Sequence, residues 1–356
     1  MIWTNAIDEL ALLPVLGEQA EQQEGAGEEI GLTFHAVQEL EPGDRWAQAF
    51  ATRWPAYRAW YLSQGEGERP ELETCRRMLD RWMPELIPTF ERLVELAGRE
   101  QLAARFLSLY GPPGFVVGCS QAAFTGVGGP VLVRNYDYPA SRLEGIVYST
   151  AWTGRRVIGM SDCVWGLLDG VNDAGLSASL TFGGRPAIGE GFGIPLVMRY
   201  LLEVCETVSE ACTVLERMPI HAAQNVTLLD REGDCATALV GPDRPVEFLN
   251  IPVATNHQRP DDWPDYARAV DTLGREQRLL GLVGDPEMTA GRLTEEFLQP
   301  PLYRSDFSSG VATLYTAAYH PADGRAEFRW PGHHVSQSFE RFTDGTHEAR
   351  YPAGQR

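Results

Sequence analysis

Chemistry first becomes legible in this 356-residue chain at Val117-Gly118-Cys119-Ser120, a cysteine set between glycine and serine. Gly118 has no side chain and tolerates strained backbone angles, so the peptide bond before Cys119 is open to attack by the thiol that follows it. An N-to-S acyl shift there gives a thioester, and water opening it leaves Cys119 at a new N-terminus. The free α-amine then serves as base for its own sulfur, one residue supplying both groups. A buried strand thiol has the same local sequence, and this stretch alone does not separate the two readings.

Arg134-Asn135-Tyr136-Asp137 supplies the next pieces. Its arginine and aspartate lie 15 and 18 residues beyond Cys119, room for a turn and a return strand antiparallel to the first. A guanidinium beside a thiol favours thiolate, and a carboxylate can hold an α-ammonium and orient the amine. The bland reading is a solvated surface pair. Asn256, in Thr255-Asn256-His257, follows the apolar pair Val253-Ala254 and could aim its amide at a developing oxyanion. A strand-ending turn asparagine would look the same.

The elements that must position these groups fall into two parts. After an acidic, Gly- and Gln-rich start expected to be loop-like, residues 30–37 alternate as a strand. Aromatic residues then recur at helical spacing through residues 43–109, with Pro55, Pro84 and Pro88 expected to kink or divide the helices. Gly111-Pro112-Pro113-Gly114 marks the main boundary. Beyond it come short strands at 115–119, 130–135, 145–150 and 156–159, and a hairpin over 167–176. Helices are expected at 194–204 and 208–218, the second capped by Thr207 with Glu210. Strands resume at 225–230 and 235–240, two helices lie between 263 and 298, and strands close the chain at 311–316 and 326–330. Strands grouped, then helices, then strands again, point to sheets with helical outer layers and not to a βαβ repeat.

Composition narrows the function. Hydrophobic residues make up 44% of the chain, enough for a sizeable core, and 30 basic against 49 acidic residues give a net charge of −19. Such a charge repels nucleic acid and anionic membrane surfaces. No basic start leads into a long apolar run, and no segment reaches a membrane span, so a soluble, cytoplasmic protein is expected. The cysteines at 75, 119, 163, 205, 212 and 235 are scattered and read as free thiols. The seven histidines form no metal-binding pattern, and no Walker or Rossmann glycine motif occurs, so neither metal nor organic cofactor is expected.

Together, Gly118-Cys119-Ser120, Arg134-Asn135-Tyr136-Asp137, the hairpin Gly170-Val171-Asn172-Asp173-Ala174-Gly175-Leu176 and Thr255-Asn256-His257 resemble the acyl-CoA:6-aminopenicillanate acyltransferase family. These are self-processing cysteine enzymes of the wider group that contains the choloylglycine hydrolases, and the resemblance spans roughly residues 30–345. It implies an α+β fold, the four-layer αββα sandwich of N-terminal nucleophile hydrolases, with residues 1–118 as a mainly helical pro-segment and 119–356 as the catalytic domain. It also implies cleavage between Gly118 and Cys119 and action on linear amides, by hydrolysis or acyl transfer.

By the same resemblance Cys119 matches the nucleophile, Asp137 the aspartate near its amine, Arg134 the motif arginine and Asn256 the oxyanion-hole asparagine. Asn172 matches a hairpin asparagine of structural role. Thr181 stands where choloylglycine hydrolases carry a second asparagine, which argues against bile-salt hydrolysis. Tyr136, Thr181 and His257 are candidates for substrate contact, and a late serine or arginine is sought among Arg304, Ser305, Ser308 and Ser309. The implied partners are a small amide or acyl-thioester substrate and the chain's own pro-segment, retained after cleavage; homo-oligomerisation stays open. The competing readings are a papain-like pairing of the cysteine with His221 or His257, which predicts an uncleaved active chain, and an unprocessed αββα binding protein.

Overall fold

The computed structural model describes residues 30–114, 118–259, 262–307 and 310–351. The acidic N-terminal stretch, Phe115 to Val117, Ser308 and Ser309 lie outside the described residues. In chain order the elements begin with β1 (Ile30–Gln38) and four helices, α1 (Asp44–Tyr61), α2 (Leu72–Trp82), α3 (Ile87–Leu96) and α4 (Gln101–Leu107). Six strands follow: β2 (Gly118–Phe124), β3 (Val131–Tyr138), β4 (Ile146–Thr150), β5 (Val157–Asp162), β6 (Gly166–Asn172) and β7 (Leu176–Phe182). Helices α5 (Ile194–Val204) and α6 (Val208–Arg217) precede β8 (Gln224–Asp230), β9 (Cys235–Val240), β10 (Glu247–Leu249) and β11 (Val253–Ala254). Helices α7 (Pro264–Ala269), α8 (Thr272–Val283) and α9 (Ala290–Glu296) lead to β12 (Ala312–His320), β13 (Arg325–Trp330), β14 (His333–Ser338) and β15 (Gly345–Tyr351).

These strands build two sheets, one ordered β10-β9-β8-β7-β6-β5-β4-β1-β15 and one ordered β11-β2-β3-β12-β13-β14. The sheets stack face to face, β2 and β3 lying over β7 and β8. Helices α5 and α6 cover the outer face of the larger sheet, and α8 and α9 the outer face of the smaller one. The result is a four-layer αββα sandwich. Middle-layer strands are covered on both faces, which is why every residue of β2, β3, β6, β7, β8 and β12 is buried.

The N-terminal part is woven into this sandwich. Strand β1 lies between β4 and β15, parallel to the first and antiparallel to the second. Aromatic residues of α1 and α4 pack on one another, Trp46 on Phe50 at 5.2 Å and Tyr57 on Phe106 at 5.1 Å, within the main core. Among the described residues no helix is long and apolar enough to cross a membrane.

Three expectations need correction. Pro55 does not divide its helix, because it sits on the exposed face of α1, where the carbonyl it leaves unpaired can meet water. Three helices, not two, occupy the region from 263 to 298, since Asp271 adopts a left-handed conformation (φ 48°) between α7 and α8. Strands β14 and β15 were not anticipated; they lie at sheet edges and their polar sequences lack apolar alternation.

Phe34 of β1 is buried with its ring centroid 4.7 Å from that of Trp330. Phe34→Ala should therefore lower stability by about 3 kcal/mol in a single denaturant transition. A separate early transition, with the main one unmoved, would mean that β1 is an appendage.

Candidate active site

Strands β2 and β3 form an antiparallel pair in which Gly118 faces Asp137, Cys119 faces Tyr136 and Gln121 faces Arg134. The return strand anticipated from the spacing is therefore present. Pleating sends alternate side chains to opposite faces. Cys119, Ala123, Leu132 and Tyr136 join the core between the sheets, whereas Ala122, Phe124, Val131 and Val133 join a second core beneath α8 and α9. A Cβ on Gly118 would lie 3.0 Å from Asp137 Cβ, so glycine is what lets this carboxylate approach the backbone at Cys119.

On the inner face Arg134 Nη2 donates to Cys119 Sγ at 3.2 Å. Its Nη1 donates to Asp169 Oδ2 and, at 3.3 Å, to the Tyr315 hydroxyl. Asp169 also accepts from Tyr315 at 2.6 Å and from Tyr319, and the guanidinium lies 4.9 Å over the Tyr136 ring. Arg134 and Asp169 are wholly buried; removing one partner of such a pair typically costs about 3–5 kcal/mol. At the cysteine, burial prevails over the neighbouring arginine. It pushes the Cys119 thiol up, Arg134 offsetting only part of the effect, so the uncleaved chain carries a thiol and not a thiolate.

The outer face holds a second cluster. Thr313 donates to Asp137 Oδ1 at 2.7 Å, while Asp137 Oδ2 makes no hydrogen bond among the described residues and lies 3.7 Å from Arg275 Nη1. Arg275, on the buried stripe of α8, donates to the Cys119 carbonyl at 2.7 Å, Ser120 Oγ at 2.9 Å and Asn256 Oδ1 at 2.8 Å. Asn256 Oδ1 also accepts the Cys119 N–H at 2.9 Å. Two donors thus fix the amide with its oxygen toward the cysteine backbone. The asparagine is anchored by its own N–H on Thr272 Oγ1 at 2.7 Å and backed by Gly184, where φ is +71° and a Cβ would fall 2.3 Å from the Asn256 carbonyl oxygen.

Cys119, Arg134, Asp137, Asn256 and Tyr136 therefore form one constellation. Thr181 and His257 support the Asn256 loop. The Thr181 hydroxyl donates to the Thr255 carbonyl at 2.7 Å, and Asn225 Nδ2 reaches the Thr255 and His257 carbonyls at 2.9 and 3.1 Å. His257 Nδ1 pairs with Thr272 Oγ1 at 3.0 Å and its Nε2 lies 3.4 Å from Glu276, while the His221 ring is engaged by the Gly189 carbonyl. Neither histidine hydrogen-bonds to Cys119. Asn172 ties its hairpin to α5, donating to the Leu202 and Cys205 carbonyls at 2.9 and 2.7 Å. Arg304, with Ser305 beside it, joins the site through its backbone N–H, which donates to Thr313 Oγ1 at 2.8 Å.

Sequence reasoning missed Asp169, Arg275, Thr313, Tyr315 and Tyr319. One of them left a signal: Thr272, Arg275, Leu279 and Leu282 make the buried stripe of α8, and an arginine on such a stripe demands buried partners.

The layering is that of the N-terminal nucleophile hydrolase fold. The chain belongs to the acyl-coenzyme A:6-aminopenicillanic acid acyl-transferase family, whose profile matches residues 124–334, more than half of its length and starting just beyond Cys119. No curated protein matches its sequence significantly. Among solved structures it is similar to penicillin V acylase from Agrobacterium tumefaciens, with 14% identity, TM-score 0.44, and coverage of 65% of this chain and 90% of that one. A mutant conjugated bile acid hydrolase from Clostridium perfringens gives 13%, 0.42, 65% and 96% in the same order. The Caenorhabditis elegans ortholog of N-acylethanolamine-hydrolyzing acid amidase gives 16%, 0.45, 57% and 93%. Likenesses at this level assign no substrate.

Deeper on the inner face, burial together with the Glu144 carboxylate pushes Asp162 up to about 8, Arg134 pulling the other way. A carboxyl raised on folding contributes stability that is present below its unfolded pKa near 4 and lost as pH rises toward 8. Urea titrations should show wild type losing stability between pH 5 and pH 8 relative to Asp162→Asn. A difference that stays constant across that window would remove Asp162 as a buried acid.

Proposed function

We propose that Cys119 is the nucleophile of an amidohydrolase or acyltransferase that acts on linear amides after cleavage of its own Gly118–Cys119 bond. The observation that carries this reading is the convergence of three side chains on Gly118 and Cys119. The Cys119 sulfur meets Arg134, its N–H meets Asn256, and Asp137 stands opposite Gly118 with one oxygen lacking a hydrogen bond among the described residues.

In the precursor the Cys119 sulfur attacks the Gly118 carbonyl carbon, the carbon–nitrogen bond breaks, and the thiol proton passes to the departing nitrogen. Water then hydrolyses the thioester, leaving a Gly118 carboxylate and restoring the thiol. Asp137 Oδ2 is suited to receive the ammonium so formed, its charge otherwise facing Arg275.

In turnover the Cys119 amine takes the thiol proton and the sulfur attacks the substrate carbonyl. Asn256 Nδ2 and a backbone N–H stabilise the oxyanion, and the amine proton passes to the leaving nitrogen. Water or an acceptor amine then resolves the acyl-enzyme. Arg275 holds the Asn256 oxygen, and the amide nitrogen, now on the Phe182 carbonyl at 3.4 Å, is the donor that would turn to the oxyanion.

The pro-segment stays bound after cleavage, a reading supported by the place of β1 inside the larger sheet. A small amide or acyl thioester is the substrate this chemistry takes, nucleic acid being disfavoured by the net charge of −19, and a cytoplasmic setting suits six free thiols.

Cys119→Ala should abolish both self-cleavage, read on a denaturing gel, and release of 4-nitrophenolate from 4-nitrophenyl acetate. Cleavage that persists in this variant would overturn the scheme. Asn256→Ala should leave processing possible and slow turnover about a hundredfold. An unchanged turnover rate would remove Asn256 from the site.

A further inference from the structure

We infer that Tyr351, the last residue of β15, is a positioning residue for the Cys119 site and acts through a bulge at Leu314; the inference rests on the proposed role of Cys119. Strand β12 pairs with β3 so that Thr313 faces Asp137 and Tyr315 faces Tyr136, and the register skips Leu314. In a regular strand residues 313 and 315 would point to the same face. The extra residue sends them to opposite faces. Thr313 bonds to Asp137, and Thr316 to Asn135 at 2.7 Å, on the outer face; Tyr315 and Tyr319 hold Asp169 on the inner face. One bulge thus lets a single strand serve both clusters that meet at Cys119.

What holds the bulge is the Leu314 carbonyl, which accepts Trp330 Nε1 at 2.9 Å and the Tyr351 hydroxyl. Trp330 belongs to the same sheet as Leu314. Tyr351 does not: it ends the edge strand of the other sheet, paired with Ile30, and its buried ring lies edge-on to Phe307 at 4.8 Å. Within the larger sheet β15 is paired with β1 alone. The chain of positioning therefore runs from β1 in the N-terminal segment to β15, to Tyr351, to Leu314, and from there to Thr313 and Tyr315. This gives the N-terminal segment a task that continues after cleavage.

Tyr351→Phe keeps the ring and the strand pairing and removes only the hydroxyl. With 4-nitrophenyl acetate as acyl donor, kcat should fall about tenfold with KM unchanged, and adding the substitution to Thr313→Val should cost less than about twofold more, since both act through one hydrogen-bonded path. A merely structural role would instead lower thermal stability without this non-additivity. Full wild-type kcat in Tyr351→Phe, or a second full tenfold loss on the Thr313→Val background, overturns the inference. If Tyr351→Phe does not fold, Trp330→Phe removes the other donor and is read by the same criteria. Wild type and Cys119→Ala run in parallel: release that survives in Cys119→Ala, or is missing from wild type, refutes the nucleophile and the inference with it, whereas loss in Cys119→Ala alone refutes only the role of Tyr351.

Discussion

The pleat of strand β2 governs everything around Cys119. It turns the thiol into the space between the sheets, while the backbone amide of the same residue is met by Asn256, just beyond β11, and its carbonyl by Arg275 of α8. In the proposed mechanism the sulfur and the nitrogen of this residue both react, and they are served from two faces of one buried sheet. The protein accordingly builds two charged clusters, Arg134 with Asp169 on one face and Arg275 with Asp137 on the other. Strand β3 contributes to both because Arg134 and Asp137, three residues apart, fall on opposite faces.

Buried charges are costly unless paired and hydrogen-bonded, and the two clusters meet that demand unequally. Asp169 has both oxygens occupied, by Arg134, Tyr315 and Tyr319. Asp137 has one oxygen hydrogen-bonded by Thr313 and one that is not, at the point where a new ammonium would arise. Among the described residues the Asp169 carboxylate is thus fully engaged, while Asp137 keeps one oxygen without a hydrogen bond. That asymmetry, with a thiol held protonated by burial, fits the proposed mechanism, in which the site is assembled before its base exists.

Much of this was legible in the sequence, and the reason is locality. Arg134 and Asp137 reach Cys119 through a single hairpin, so their spacing carried the geometry, and Asn256 followed a short strand that pairs directly with β2. The helices α5 and α6 showed their boundaries through apolar periodicity and the Thr207 cap. Asp169 was hidden because its contact with Arg134 exists only once the sheets stack. Thr313 and Tyr315 were hidden for a different reason: a two-residue period assigns them to one face, and the bulge at Leu314 overrides it. The polar edge strands β14 and β15 lacked the alternation that betrays a buried face, although β15 ends in the tyrosine that reaches the site's supporting strand.

Whether the arrangement is a precursor is tested most directly by intact-mass measurement of the purified wild-type chain, with N-terminal sequencing of any fragment. The account predicts two polypeptides that remain associated, the second beginning at Cys119. A single uncleaved chain that turns over acyl substrates would contradict it, since the base assigned to the sulfur would never have been formed.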